Sequence, residues 1–316
     1  MTKQFFRALC CFLAVMLFGC SFPFTSCQME TNEENKVQTA PPINNATADS
    51  DLEDESFLPD DEFLEEEKVN IKIGTFNIQH GVDRLHLLAT NETKLNLTAI
   101  SDAIKEMNLD ICGLNEVWNH KPIEGVEGEC NQAEFIAEKL GYHYFFAKAI
   151  PHGFDGGEYG NALVSKYPIL SAKCIPLHIP EEQRGEGYYE DRVILQAEID
   201  VYGKVITVLS SHFGLVQDEM TLAVDTVREL VKECKMPVIL MGDFNFEPNS
   251  PHYPRLSEIL TDTAALMNKA EATHPSEAPV KRIDYIFIND QVTCLDFNVP
   301  DLIISDHKPC TAVIEV

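Results

Sequence analysis

The sequence predicts an α/β domain over residues 69–316, in which two β-sheets pack face to face with helices outside them. Three observations carry this expectation. Apolar segments of strand length recur eight times between Val69 and Val316. Amphipathic helical stripes fall between some of them, without strict alternation of strand and helix. Neither a linker-like stretch nor a short-period repeat interrupts the chain after residue 69, so one domain is expected.

In chain order the strand candidates begin with VNIKIGTFNI (69–78), LDICGLNEV (109–117) and GNALVSKYPIL (160–170). RVILQAEIDVYG (192–203) and KVITVLSSHF (204–213) follow, then MPVILMGDFNF (236–246), RIDYIFIND (282–290) and CTAVIEV (310–316). Tyr202-Gly203 is the turn of a hairpin, with Ile199 and Val201 alternating against polar neighbours. Helices are expected over Leu95–Met107, Asn131–Leu140 and Glu219–Cys234. The last carries Leu222, Ala223, Thr226, Val227, Leu230 and Val231 on one face, as a helix packed on a sheet requires.

Part of the net charge of −27 lies in front of the domain. Between Glu30 and Lys68 stand fourteen acids and two lysines, and from Val69 onward thirty-seven acids and twenty bases, a net of −17. A domain this acidic repels a nucleic-acid backbone unless basic residues cluster or metal ions intervene, and no basic-aromatic interleaving is present. Residues 1–20 read as an export signal: Lys3 and Arg7 precede an apolar run, Ala8–Phe18, that is short for a bilayer span. It ends in LFGC, which resembles a bacterial lipoprotein cleavage box with Cys20 as the acylated residue, although Phe18 stands where a small residue is usual. An ordinary secretory signal cut near Gly19 or Ser26 is the alternative. Residues 21–68 are expected to be an acidic disordered tether. The folded part is thus expected outside the cytoplasm, anchored on the envelope or otherwise secreted. Six cysteines fall in the domain, with no CxxC pair to suggest structural zinc.

The polar residues that end or interrupt the apolar strands are the candidate chemistry. Asn77, Glu116, His212, Asp243, Asn245 and Asp284 sit in or at the ends of strands, and Asp306 and His307 directly precede the last one. Each alone is explained by a turn, a solvated strand end or a satisfied histidine. Together they are harder to dismiss, because carboxylates among apolar residues are costly unless paired, hydrogen-bonded or bound to a cation. Asp243 and Asn245, two apart on an extended chain, are expected to face one shared site. A cluster of Glu, Asp, Asn and His suits Mg²⁺, Mn²⁺ or Ca²⁺ better than zinc.

TFNI, GLNEV, YGNALVSKYPI, SSHF, MGDFN, RIDYIF and SDHKP occur in the order and approximate spacing of the endonuclease/exonuclease/phosphatase superfamily, which residues 69–316 resemble throughout. The resemblance implies a four-layer α-β-β-α sandwich of two mixed sheets, with the site at one edge. It implies a metal-dependent phosphoesterase that uses Mg²⁺, with Glu116 as the main metal ligand, Asn77 beside it and Asp306 touching metal or phosphate. His307 resembles the general base or proton carrier, Asp284 the carboxylate that orients it, and His212 the donor to a phosphate oxygen. Asp243 and Asn245 would position water and the phosphoryl group, with the choice between Asp243 and His307 as proton acceptor left open. Tyr159, Asn161 and Arg192 look like substrate-binding residues, with a packing aromatic the alternative for Tyr159 and a surface cation that for Arg192. Asn115 stands where many members have Gln, and SHF where many have Thr-His-Leu; neither departure removes a catalytic group. A phosphate ester, most often a diester, is the expected substrate of a monomer; nucleic acid enters only as substrate, and the membrane only through the anchor. The alternative is a surface lipoprotein that keeps the fold as a binding module, which would be expected to lose Glu116, His212, Asp284 or His307.

Overall fold

In the computed structural model, residues 68–119, 121–122, 129–152 and 157–316 are described. The export signal, Cys20 and the tether lie outside them. The chain begins with β1 (Asn70–Asn77), α1 (Arg84–Thr90), α2 (Leu97–Glu106) and β2 (Ile111–Asn119). A two-residue ribbon, β3 (Lys121–Pro122) and β4 (Glu129–Cys130), leads to α3 (Gln132–Leu140), β5 (His143–His152), β6 (Gly157–Ser165) and β7 (Ile169–Leu177). Then come β8 (Arg192–Val201), β9 (Lys204–His212), α4 (Gln217–Glu233), β10 (Val238–Asp243) and α5 (His252–Ser257). The chain closes with β11 (Thr261–Asp262), α6 (Thr263–Leu266), β12 (Asp284–Ile288), β13 (Thr293–Asn298) and β14 (Cys310–Glu315).

Two six-stranded sheets form, ordered β13-β14-β1-β2-β6-β5 and β11-β12-β10-β9-β8-β7. Side chains alternate between the faces of a strand, and β10 shows the consequence. Its Ile239 and Met241 enter the core between the sheets, beside Ile73 and Ile286. Val238 and Leu240 point the other way, into the core that Met220, Ala223 and Val227 of α4 cover. The first sheet is covered likewise, with Ile100 and Ile104 of α2 and Ile136 of α3 packed on Phe76 and Leu114. The unbroken VILM run is therefore a strand buried on both faces. Two mixed sheets with helices outside make the expected four-layer sandwich.

The three expected helices form within two residues of their expected ends. Asn131 caps α3 by accepting from the Glu134 amide, and Gly141 closes it in the left-handed conformation. The Tyr202-Gly203 hairpin also forms, both residues at positive φ as a two-residue turn demands. Two corrections concern strands. GNALVSKYPIL is not one strand: the chain turns after Ser165, and Ile169 begins β7. The strands without a strong sequence signal, β5, β7, β11 and β13, are the four sheet edges. Edge strands bury less, so their alternation is weak; β7 is buried only at Ile169 and Leu177. Helix α1, also unexpected, buries no residue.

Gly242 is where the backbone leaves no choice. It has φ +148°, and an added Cβ would overlap the Ser211 carbonyl oxygen on the neighbouring strand. Gly242→Ala is therefore expected to cost about 3 kcal/mol or more, because backbone rather than a flexible side chain would have to move. Urea denaturation checks this, and a loss below about 1 kcal/mol would contradict it.

Candidate active site

Strand direction decides where the polar residues gather. β1 runs parallel to β2 and β9 parallel to β10, so the C-terminal ends of each pair lie side by side. β12 runs antiparallel to β10 and brings its first residue to the same place. Asp243 is in register with His212 on one side and Asp284 on the other, which aligns three polar side chains across adjacent strands. His307, from the loop before β14, completes the row. Its Nδ1 lies 2.9 Å from Asp284 Oδ2 and its Nε2 3.6 Å from Asp243 Oδ2.

The other sheet contributes through an irregularity. Glu116 has φ +56°, and the pairing of β2 with β6 shifts between Leu114 and Val117. This bulge re-aims two successive residues. Asn115 reaches across to the second sheet, where its Oδ1 accepts from the Asp243 amide at 3.0 Å, while its Nδ2 donates at 3.0 Å to Asn161 Oδ1 on β6 of its own sheet. Glu116 faces the cleft, and its Oε1 accepts from Asn77 Nδ2 at 3.0 Å. The same Nδ2 donates to Asp243 Oδ2 at 3.1 Å, so one amide ties together carboxylates from both sheets. Asn77 Oδ1 in turn accepts from the Gln79 amide, so Asn77 spends both ends of its side chain orienting the site.

A cleft of about 450 Å³ opens over these residues. Glu116, His212, Asp243, Asn245, Asp306 and His307 line it, with Tyr159 and Arg192 at its side. Of the sequence candidates, Asn77, Asn161 and Asp284 lie behind this lining. Asn161 is buried as an inter-sheet tie, donating to the Val193 carbonyl at 2.9 Å. Asp243 and Asn245 do share the cleft, but not through strand alternation. β10 ends at Asp243, and Asn245 sits at φ +54°, held by donating from its Nδ2 to the Phe213 carbonyl. Arg192 is buried rather than a surface cation, and it stands in the cleft wall.

Charge is unevenly distributed. Burial, then the charge of Asp306, pushes the Glu116 carboxyl up to about 7. Burial also lifts Asp243, to about 6, with Asp284 adding to the effect. Burial presses down on the His307 imidazolium, but Asp284 and Asp243 outweigh it and hold the ring up at about 10. His212 moves the opposite way, well below its ordinary value, through burial and the charges of Arg192 and His307. Arg192 Nη1 lies 3.0 Å from His212 Nδ1. A guanidinium can only donate, so Nδ1 must accept and the ring proton of neutral His212 sits on Nε2, 3.4 Å from Asp243 Oδ2.

Four further polar residues line the cleft. Glu190 pairs with Arg192 at 3.3 Å, and Tyr188 stands beside it on the wall. His80 Nε2 lies 3.5 Å from Glu116 Oε2, with its ring stacked on Trp118 at 4.5 Å. The His274 ring is 4.6 Å from that of His307. The donor set fits a divalent cation, because Glu116 and Asp306 bring two carboxylates to one cleft, near enough for the charge of Asp306 to raise the Glu116 carboxyl. Ligand atoms of His274, Asp306 and His307 also lie within 4.8 Å of one another.

Known proteins share this fold. YbhP of Escherichia coli strain K12 is 24% identical over 266 residues, covering 79% of this chain and 98% of that protein. Among solved structures, an endonuclease/exonuclease/phosphatase from Bacteroides vulgatus superposes with a TM-score of 0.62 at 22% identity, covering 78% of this chain and 99% of that one. A mannosyl-6-phosphatase from Bacteroides thetaiotaomicron superposes at 0.60 with 17% identity, over 77% and 99% of the two chains. Residues 74–307 match the Endonuclease/Exonuclease/phosphatase family as a whole, and this chain belongs to that family.

Proposed function

We propose that the protein is a divalent-metal-dependent phosphoesterase that hydrolyses phosphodiesters by in-line attack of water. The observation that carries this reading is the buried Asp284–His307–Asp243 row, meeting Glu116 of the other sheet in one cleft. Glu116 and Asp306, with Asn77 orienting the former, would hold Mg²⁺; Mn²⁺ and Ca²⁺ share its preference for oxygen. When bound, the ion supplies Lewis-acid polarisation of a phosphoryl oxygen. The chain's own groups divide the remaining work. Held near 10, His307 is an imidazolium at neutral pH and cannot accept water's proton; it stabilises charge on the phosphoryl group and delivers a proton to the leaving oxygen. Asp243, held near 6, is ionised at neutral pH and takes the proton of the attacking water. His212 donates from Nε2 to a non-bridging oxygen, with Arg192 fixing its tautomer. Asn245 and Tyr159 position the phosphoryl group at the cleft wall.

Diesters are favoured because carboxylates crowd the cleft, and a singly charged phosphate is repelled less than a dianionic monoester. With Mg²⁺ present, bis-p-nitrophenyl phosphate is expected to turn over faster than p-nitrophenyl phosphate. Plasmid DNA, sphingomyelin and inositol phosphates complete the panel, and failure to cleave any of these esters would overturn the reading. Metal and proton compete for Glu116, because its carboxyl stands near 7. The Mg²⁺ concentration for half-maximal turnover is therefore expected to rise about fivefold between pH 7 and pH 6. Titrations at pH 8, 7 and 6 check this, and a constant midpoint would contradict it.

We propose as well that the domain is exported and tethered to the envelope through acylated Cys20, on the support of the apolar run and LFGC alone. Radiolabelled palmitate should enter the protein and fail to enter Cys20→Ser; label in both would overturn the anchor.

A further inference from the structure

A second depression, of about 330 Å³, adjoins the catalytic cleft. The two share Leu215 and Asn245, so the second opens directly from the place where the phosphoryl group would sit. Its apolar lining is Met220, Phe246 and Ile283 at the buried floor, with Leu215 and Pro251 exposed at its edge. Its rim is polar, and Asn249 is exposed there. Among the described residues its only ionic groups are Glu247 and Lys281, one of each sign.

We propose that this groove is the subsite for the second ester arm of a phosphodiester, and that the arm is an uncharged alcohol with a flat or ring-shaped apolar body. The inference rests on the phosphoesterase reading above. A monoester has one organic arm and leaves one of the two contiguous depressions without a role. A diester has two arms diverging from one phosphorus, as the two depressions diverge from Asn245. The chemistry of the groove selects the arm. Apolar side chains offer contact to a ring, and the polar rim suits hydroxyl or other neutral polar substituents. A further phosphate on the arm would find one lysine beside one glutamate, on a domain whose net charge is −17. The groove therefore selects short diesters with an uncharged second arm against polynucleotides, whose next phosphate would follow along the strand.

The test compares bis-p-nitrophenyl phosphate with methyl p-nitrophenyl phosphate, with Mg²⁺ present. Both release p-nitrophenolate, but only the first carries a second ring. Wild-type protein is expected to prefer the bis-aryl ester in kcat/KM by about tenfold or more, the scale on which an apolar pocket separates a filled from an unfilled arm. Asn249→Trp and Lys281→Trp place a bulky ring at exposed positions of the groove, where folding is not at stake, and thermal melts confirm it. Each is expected to lower the bis-aryl to methyl ratio at least fivefold. A wild-type ratio near one, or a ratio that changes less than fivefold in both variants, would overturn the subsite. Absence of any ester cleavage by the wild type is a different outcome: it would overturn the phosphoesterase reading and the subsite with it.

Discussion

His307→Ala is expected to lower kcat/KM on a phosphodiester by about 10³-fold, within the range that a positioned proton donor contributes. The same substitution is expected to destabilise the protein, because it leaves Asp243 and Asp284 buried with no cation between them. The pH dependence separates these effects from a general loss of packing. Burial opposes the His307 charge, yet Asp284 and Asp243 raise the ring from 6.5 to about 10. A cationic group with a raised value contributes stability that is complete below about 6.5 and is lost as pH rises toward about 10. Wild-type protein should therefore lose stability between pH 7 and pH 10 through this group, and His307→Ala should lack that contribution. Urea midpoints at the two pH values check this; parallel losses in both proteins would contradict the charged row.

Glu116→Gln is expected to separate activity from stability. Activity should fall by about 10³-fold or more, since the amide keeps the shape of the side chain but not the charge that would hold the cation. Stability in metal-free buffer should move the other way. Burial and Asp306 raise the carboxyl from 4.5 to about 7, so the folded state binds a proton more tightly than the unfolded chain does. Stability is then lost as pH rises through that interval, and glutamine removes the loss. Because the side chain keeps 22% of its surface exposed, the gain at pH 8 is discounted to about 1–2 kcal/mol. Chemical denaturation of both proteins in EDTA measures it. A variant less stable than wild type would show that Glu116 is not strained by its neighbours, and the case for a cation there would lose its electrostatic support.

How far the sequence reached depends on what kind of physical signal each feature leaves in it. Buried central strands such as β10 write long apolar runs, and α4 writes a stripe, so the sandwich was legible. The four edge strands were not, since partial exposure dilutes their alternation. The site was legible for the same reason as the core: polar residues inside apolar strands stand out, and Glu116, His212, Asp243 and Asp284 all do. Asn115 carries that signal too, as a fully buried amide beside Glu116, and the cost argument applied to Asn77 applies equally to it. Its direction, however, depends on the bulge at Glu116, and a positive φ at a glutamate has no mark in the sequence. Asn245 reaches the cleft by a left-handed turn rather than by strand geometry, so the right expectation rested on the wrong path. His80 and His274 come from irregular segments with no periodicity to place them. The pairing of Arg192 with His212 joins adjacent strands β8 and β9, and contact between particular side chains on neighbouring strands is a matter of register, which the sequence shows only after folding.

The most direct test of the central claim is turnover of bis-p-nitrophenyl phosphate by the purified protein, first in EDTA and then across a Mg²⁺ titration, for wild type and Glu116→Gln in parallel. The site described predicts no turnover in EDTA, saturable recovery in the wild type, and no recovery of Glu116→Gln at the concentrations that saturate the wild type. Full turnover in EDTA, or recovery of Glu116→Gln to the wild-type rate, would contradict it.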